Sequence, residues 1–141
     1  MKISTRGRYG IRLLLDLAEH CAGPHVSLAS IAERQNISVR YLEQVVIILR
    51  RSGYIRSIKG TSGGYTLTRP PEEIIIGDVL RLLEGDMLVI DPPRPQTQET
   101  LLQRCLRLMV YERLNNRIAE AIDNKTLASL FPGSQSAMYY I

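Results

Sequence analysis

Arg40, Gln44 and Arg51 are the side chains whose types and spacing indicate chemistry most directly. Their intervals of four and seven residues place them on one face of an α-helix, pointing away from the apolar face of the same segment. Arginine and glutamine can each form two hydrogen bonds with a purine edge, and each good pair contributes about 1–3 kcal/mol of base discrimination. Ile47 shares this outer face. The apolar positions opposite are Leu42, Val45, Val46 and Leu49.

A basic, glycine-rich segment follows this helix. Gly53 ends the helix, residues 54–59 alternate as a half-buried strand, and residues 65–68 form a returning strand. Either part alone has an ordinary explanation, as a surface helix or as a plain hairpin whose glycines allow positive φ. In this order they are typical of a winged helix-turn-helix, which places a helix in the DNA major groove and a loop on the flanking backbone. The tip consists of Lys59, Gly60, Thr61, Ser62, Gly63 and Gly64.

Hydrophobic periodicity predicts the elements that position this helix and hairpin. Ser27 and Ser38 are expected to cap the second and third helices, and Gly85 to end a short fourth helix. The predicted fold is mainly α with a small β-hairpin wing, a winged helix-turn-helix followed by a long dimerisation helix. The inner face of the first helix is predicted at Ile11, Leu14, Leu15 and Ala18.

The predicted organisation has four parts. Residues 1–85 form the DNA-binding domain, 86–98 a proline-rich linker loop, 99–131 the dimerisation helix with a short following helix, and 132–141 a tail. The apolar stripe of the long helix, from about Glu99 to Ile122, changes sides after Met109, which indicates two packing partners. A homodimer is expected, although a helix packed back on its own domain stays open. The predicted dimer contacts are Leu101, Leu102, Cys105, Leu108 and Met109.

Charge and composition narrow the classes of function. Residues 1–69 hold 11 Lys+Arg against 4 Asp+Glu (11 − 4 = +7), whereas residues 70–141 hold 7 against 10 (7 − 10 = −3), so polyanion affinity is expected in the first half. No apolar run reaches the roughly 18 residues of a membrane helix, and a cytoplasmic location is expected. Two histidines and two distant cysteines offer no nucleophile and base pattern, so an enzyme is not expected.

Four blocks of sequence together resemble the Rrf2 family of bacterial winged-helix regulators, to which IscR, NsrR and CymR belong. The blocks are residues 1–10, Tyr41 to Gln44, Gly60 to Leu67, and Gly77 to Gly85. The resemblance implies a dimer that binds double-stranded DNA as a repressor. It further implies contacts from the outward helix and the wing to the two grooves and from the N-terminal segment to the backbone. The implied DNA-binding residues are Lys2, Arg6, Tyr9, Ser38, Arg40, Tyr41, Gln44, Lys59, Gly60, Thr61 and Ser62, and Arg51 is added because it lies on the outward face of the helix.

The chain departs from the sensor members of that family. Those members carry three closely spaced cysteines before the long helix, where thiolates hold an iron–sulfur cluster. The corresponding stretch, Asp86 to Gln103, contains no cysteine, so neither a cofactor nor a metal is expected. Cys105 is interpreted as a buried structural thiol, and His20 and His25 as surface residues.

The last residues, Met138, Tyr139, Tyr140 and Ile141, are apolar where chain ends are usually polar. Packing on the dimer and capture of the terminal carboxylate by a partner are both compatible with this composition. Resemblance to the CymR-type branch, which represses cysteine metabolism, favours capture in the active-site cleft of cysteine synthase, where O-acetylserine would compete. A regulator that senses a small ligand or redox signal directly, in a pocket between module and long helix, stays open.

Overall fold

The computed structural model describes residues 1–133, and the predicted tail contacts Met138 to Ile141 lie outside them. The described chain forms a helical module with one β-hairpin, followed by a long helical rod, as the sequence predicts. Two short 3-10 helices, Pro71–Glu73 and Ala128–Leu130, complete it. The other elements are α1 (Thr5–Glu19), α2 (Leu28–Gln35), α3 (Val39–Arg51), β1 (Ile55–Ile58), β2 (Gly64–Leu67), α4 (Ile76–Glu84), α5 (Leu101–Leu106), a π-helical segment (Arg107–Tyr111) and α6 (Glu112–Asp123).

Capping residues set the bounds of the first helices. The predicted caps Ser27 and Ser38 are confirmed, because their hydroxyls accept hydrogen bonds from the third residues of α2 and α3. α2 is capped by Asn36, which adopts the left-handed conformation (φ 53°), and α3 is followed by Gly53 at φ 79°. Both residues tolerate positive φ, so they allow the sharp exits that bring α3 across α2 and start the hairpin.

The core lies where α1 packs against α2, α3, α4 and β2. The predicted inner face of α1 was wrong in part, since Leu13 and Leu17 are buried while Ile11 and Leu15 are only half-buried. An element with neighbours on several sides buries a wider arc than one amphipathic stripe. Asp16 lies within that arc and is 1% exposed.

The rod is close in extent to the predicted long helix but is not a regular α-helix. Thr100 and Gln103 form a capping box at its start, and the π-helical segment separates α5 from α6. A π turn accommodates an additional residue, so the side chains that follow are rotated around the axis. This explains the change of sides in the apolar stripe. No helix within residues 1–133 is long and apolar enough to cross a membrane.

The two halves of the rod have different surroundings. In α6, Ile118 and Ile122 are half-buried against the core of the module, and α6 packs on α4. In the first half, Leu101, Leu102 and Met109 are 77%, 81% and 66% exposed. Cys105 is also exposed in the single chain, so its predicted burial is not found there.

Candidate nucleic-acid interface

The outer face of α3 carries the predicted base-reading side chains. Arg40, Gln44 and Arg51 are exposed, whereas Leu42 and Leu49 on the opposite face are fully buried. The helix is therefore fixed to the module by its apolar side and presents hydrogen-bonding groups to solvent. The remaining buried positions of this helix are Val45 and Val46.

The wing lies beside α3. A surface groove of about 410 Å³ is lined by Glu43 of α3 together with Lys59, Thr61 and Gly63 of the hairpin. Helix and wing tip thus face one side of the module, as a winged helix-turn-helix requires. Glu43 is a residue that sequence reasoning missed here, and its carboxylate can accept a hydrogen bond from a cytosine amino group.

Close backbone approach explains the glycines at the returning strand. A Cβ on Gly64 would lie 2.3 Å from the Val26 carbonyl oxygen, and one on Gly63 would lie 2.3 Å from the Ile58 carbonyl oxygen. Val26 and Tyr65 exchange two backbone hydrogen bonds, of 2.9 and 2.8 Å, which attach the wing to the α1–α2 loop. The wing therefore has a fixed base below a tip whose predicted contacts Lys59, Gly60, Thr61 and Ser62 are all exposed.

Two tyrosines predicted to contact DNA pack on each other. The rings of Tyr9 and Tyr41 meet edge to face with centroids 5.2 Å apart, and the Arg12 guanidinium lies 5.3 Å from the Tyr9 ring. Both tyrosines are half-buried, so their bodies join α1 to the start of α3. Ser38 combines exposure with its capping role.

The N-terminus of α1 is held by a residue to which sequence reasoning gave no role. One carboxylate oxygen of Glu84 accepts hydrogen bonds from the Ser4 N–H, the Ser4 hydroxyl and the Gly7 N–H. A carboxylate is favourable at this position because it complements the unpaired N–H groups and the positive end of the helix dipole. The contact fixes the segment that carries the exposed cations Lys2 and Arg6.

A buried carboxylate sets the end of α2. Asp16 accepts two hydrogen bonds from Arg34, at 3.0 and 2.7 Å, and one from Gln35 at 3.0 Å. Burial opposes ionisation of Asp16, but these hydrogen bonds outweigh it and lower the pKa of the carboxyl. Arg12 donates to both the side chain and the backbone carbonyl of Gln35. Since Asn36 and Ser38 follow directly, this network orients the turn into α3.

The two histidines interpreted as surface residues are half-buried and have partners. His20 Nδ1 lies 2.9 Å from the Asp16 carbonyl oxygen, and His25 Nε2 contacts the Ser62 carbonyl oxygen at the wing tip. Sequence reasoning missed both contacts because each partner is identifiable only from the fold. Each histidine thus contacts a backbone carbonyl within the module, which is a structural role.

The cations of the candidate interface lack protein carboxylate partners. Among the ion pairs of residues 1–133, none involves Lys2, Arg6, Arg40, Arg51 or Lys59. Unpaired basic side chains attract a polyanion and release its counterions on binding. The electrostatic requirement for phosphate contact is therefore met by exposed cations on α3, on the wing and on the N-terminal segment.

The module is joined to the rod by an ion pair. Arg81 of α4 donates two hydrogen bonds to Asp123 of α6, at 2.6 and 2.9 Å, and these lower the pKa of the Asp123 carboxyl. A Cβ on Gly77 would lie 1.9 Å from an Asp123 carboxylate oxygen, so a side chain there would disturb the pair. This contact fixes the direction of α6 relative to the module.

Comparison with known proteins gives consistent matches. A family model described as "Rrf2: Iron-dependent Transcriptional regulator" matches residues 3–133. The HTH-type transcriptional regulator CymR of Bacillus subtilis strain 168 is 40% identical, covering 100% of both chains. Protein rrf2 of Nitratidesulfovibrio vulgaris is 51% identical over 92% of this chain and 87% of its own. The solved structure of CymR, the global cysteine regulator of B. subtilis, superposes with a TM-score of 0.75 at 35% identity, covering 100% of this chain and 98% of its own.

The donor set of this chain does not fit the iron–sulfur cluster that sensor members of such a family hold. Its two cysteines, Cys21 and Cys105, lie on the turn after α1 and on α5. Within the described residues, no group of three or more His, Cys, Asp or Glu side chains is placed to hold a metal ion. A cluster requires several thiolates at one position.

Proposed function

Because the chain belongs to the Rrf2 family of transcriptional regulators, we propose that it is a dimeric, sequence-specific DNA-binding repressor. The observation that carries this proposal is the groove that Glu43 of α3 shares with Lys59 and Thr61 of the wing, together with the exposure of Arg40 and Gln44 on the same helix. Arg40 and Gln44 read base edges in the major groove, with Ser38, Tyr41 and Arg51 beside them.

The wing and the N-terminal segment position the protein on DNA and do not read the base sequence. Lys59 and the small residues Gly60, Thr61 and Ser62 approach the minor groove or backbone. Lys2 and Arg6 contact phosphates, and Tyr9 steadies Tyr41 from the inside of the module.

Pairing of two chains uses the apolar side of the rod. Leu101, Leu102, Leu108 and Met109 are exposed together with Cys105, and a second rod would remove this surface from water. Two-fold pairing gives two reading heads, and such dimers bind half-sites about one helical turn, or roughly 34–36 Å, apart.

The regulator proposal is tested by selecting binding sites from a pool of random DNA duplexes. We expect a pseudo-palindromic site with half-sites about 10 bp apart, bound by two protomers as measured by light scattering of the complex. Arg117→Ala, which removes an exposed cation on α6, serves as a control that selects the same site. Recovery of no preferred sequence would contradict the proposal.

We infer that the regulated process is cysteine metabolism and that cysteine synthase is a partner. Support comes from the full-length similarity to CymR and from the apolar residues Met138, Tyr139, Tyr140 and Ile141. The enzyme cleft would take the Ile141 side chain and its carboxylate, and O-acetylserine would compete for it. An enzyme that favours the DNA-bound form raises operator affinity by its differential binding free energy.

This partner is tested by calorimetric titration of cysteine synthase with the full chain and with a chain lacking Tyr140 and Ile141. We expect saturable binding that O-acetylserine reduces and that the truncation abolishes, with unchanged dimer mass and thermal unfolding. Equal binding by the truncated chain would refute capture of the tail.

A further inference from the structure

A cavity of about 250 Å³ separates the linker loop from the rod. Its apolar wall includes Ile90 and Pro92, and its polar wall includes Asp91, Arg107 and Glu112. The volume lies below the roughly 300–1,000 Å³ of pockets for drug-sized ligands, so the cavity suits a small metabolite.

The Arg107 guanidinium lines this cavity and retains hydrogen-bonding capacity. Its Nε and one Nη donate to Glu99 at 2.7 and 2.9 Å, and the other Nη donates to Glu112. A guanidinium has five N–H groups, so 5 − 3 = 2 remain for a further acceptor. The carboxylate of a ligand is the natural acceptor, because arginine binds carboxylates through paired donors.

The other charges around the cavity favour a cation. Asp91 and Glu112 line it, Glu99 lies behind Arg107, and Arg104 interacts electrostatically with Glu99, so the local sum is 2 − 3 = −1. Within the described chain, neither an ion pair nor a hydrogen bond occupies the Asp91 carboxylate. An ammonium group between Asp91 and Glu112 would reduce this repulsion. The α-amino acids are the most compact ligands that carry an ammonium group, a carboxylate and a small apolar body.

The same residues hold the π-helical segment. Arg107 and Glu112 are five residues apart, and in a regular α-helix five residues turn through about 500°, which leaves their side chains about 140° apart. The π turn brings them together, so their ion pair belongs to this register of the rod. Any ligand that engages both residues acts on the contact that stabilises the π turn.

The cavity also lies where the rod joins the DNA-binding module. Asn115 accepts a hydrogen bond from the Val89 N–H at 2.7 Å and donates to the Ile90 carbonyl at 3.0 Å, which fixes the linker loop on α6. The loop continues from α4 through Met87, which is buried in the core. A ligand in this cavity therefore contacts both the linker loop, which leads from the DNA-binding module, and the rod, which carries the dimerisation surface.

We propose that this cavity is an effector site for a small α-amino acid, bound by Arg107 through its carboxylate and by Asp91 and Glu112 through its ammonium group. The proposal rests on the regulator function above and adds a direct metabolite input to it. A ligand that binds the DNA-bound form and the free form with different affinities changes operator affinity by the same factor, which is about five-fold or more in typical coupled systems.

The test is calorimetric titration of the full-length protein with each standard L-α-amino acid and with O-acetylserine. We expect saturable binding by at least one of them, and none by propylamine or propionate, which carry one charged group each. Glu112→Gln and Asp91→Asn should each weaken binding about ten-fold, as expected for loss of a charged contact. Glu120→Gln, the same change at an exposed position of α6, should leave it unchanged.

Three results would overturn the effector site. The first is the absence of saturable binding, and the second is equal binding by the amine or the acid alone. The third is equal amino-acid affinity of the Asp91→Asn variant and the Glu120→Gln control. Asp91 is exposed on the loop, so its variant keeps the test valid if Glu112→Gln unfolds. Operator binding is measured by anisotropy in the same samples, without amino acid and with each amino acid. Operator binding with no effect of any amino acid rejects the site alone, whereas no binding to any operator rejects the regulator proposal.

Discussion

Ser4 and Glu84, eighty residues apart in the chain, are joined by two hydrogen bonds of 2.9 and 2.6 Å that end on one carboxylate oxygen. The same oxygen accepts a third bond, of 3.1 Å, from the Gly7 N–H. The first turn of α1 is thereby tied to the last residue of α4. Since Lys2 and Arg6 belong to this segment, the contact links the stability of the module to the position of two cations at the proposed DNA surface.

This relationship predicts that the effect of Gly7→Ala on the free energy of unfolding changes sign when Glu84 is removed. A Cβ on Gly7 would lie 2.1 Å from the Glu84 carboxylate oxygen, and the three nearest atoms all belong to the Glu84 side chain. Gly7→Ala should therefore destabilise the wild-type protein in urea unfolding. In the Glu84→Ala background the same change should stabilise it by up to about 1 kcal/mol, as expected for a helical glycine replaced by alanine. Equal effects in the two backgrounds would contradict this account of Gly7.

The Asp16 network predicts a pH-dependent loss of stability. Its folded pKa is lowered, so its contribution is fully present above the ordinary aspartate pKa of about 3.9 and is lost as the pH falls through the folded value. Asp16→Asn should reduce the free energy of unfolding by about 1.5–3 kcal/mol at pH 7, and the difference from wild type should shrink in acid. Glu33→Gln, an exposed neighbour on α2, is the control. A difference that stays constant down to pH 2 would exclude an ionised Asp16 as the cause.

Local chemistry made much of the module predictable from its sequence. Ser27 and Ser38 cap helices because a serine hydroxyl satisfies a free N–H, and Gly53 permits the positive φ that ends α3. These signals act over a few residues. The order of helix, glycine-rich tip and strand then identifies the winged fold, since few folds use that sequence of elements.

Long-range contacts account for what the sequence left hidden. Glu84 and Asp16 act on residues far along the chain, so no local pattern identifies their partners. The π turn appeared in the sequence only as a stripe that changed sides, because periodicity records the rotation but not its cause. Burial of Cys105 stays a prediction for the paired chain, since its surroundings depend on the second copy.

Salt dependence distinguishes phosphate contacts from base contacts. Lys59→Ala should weaken binding to operator and random duplexes alike and should reduce the slope of log affinity against log salt by about one. Anisotropy titrations at several salt concentrations measure both quantities. Arg117→Ala, which removes an exposed cation on α6, should leave the slope unchanged. An unchanged slope for Lys59→Ala would place the wing tip away from phosphates.

The proposed pairing surface predicts dissociation on insertion of a charge. Leu102→Glu introduces a carboxylate at a position where the native side chain is 81% exposed in the single chain, so the monomer should fold. Pairing would desolvate this carboxylate and should therefore be weakened. Analytical ultracentrifugation should show an increased monomer fraction and anisotropy a weaker operator complex. Arg113→Gln lowers the net charge equally on the same rod and should remain dimeric. A wholly dimeric Leu102→Glu protein would move the interface elsewhere.

The central claim is that α3 reads base sequence, and the ratio of operator to random-duplex affinity tests it most directly. Arg40→Ala combined with Gln44→Ala should lower this ratio by about ten-fold or more, since each lost bidentate contact removes about 1–3 kcal/mol of discrimination. Lys59→Ala should leave the ratio nearly unchanged while lowering both affinities. Equal losses on the two duplexes from the α3 variant would show that another element reads the operator.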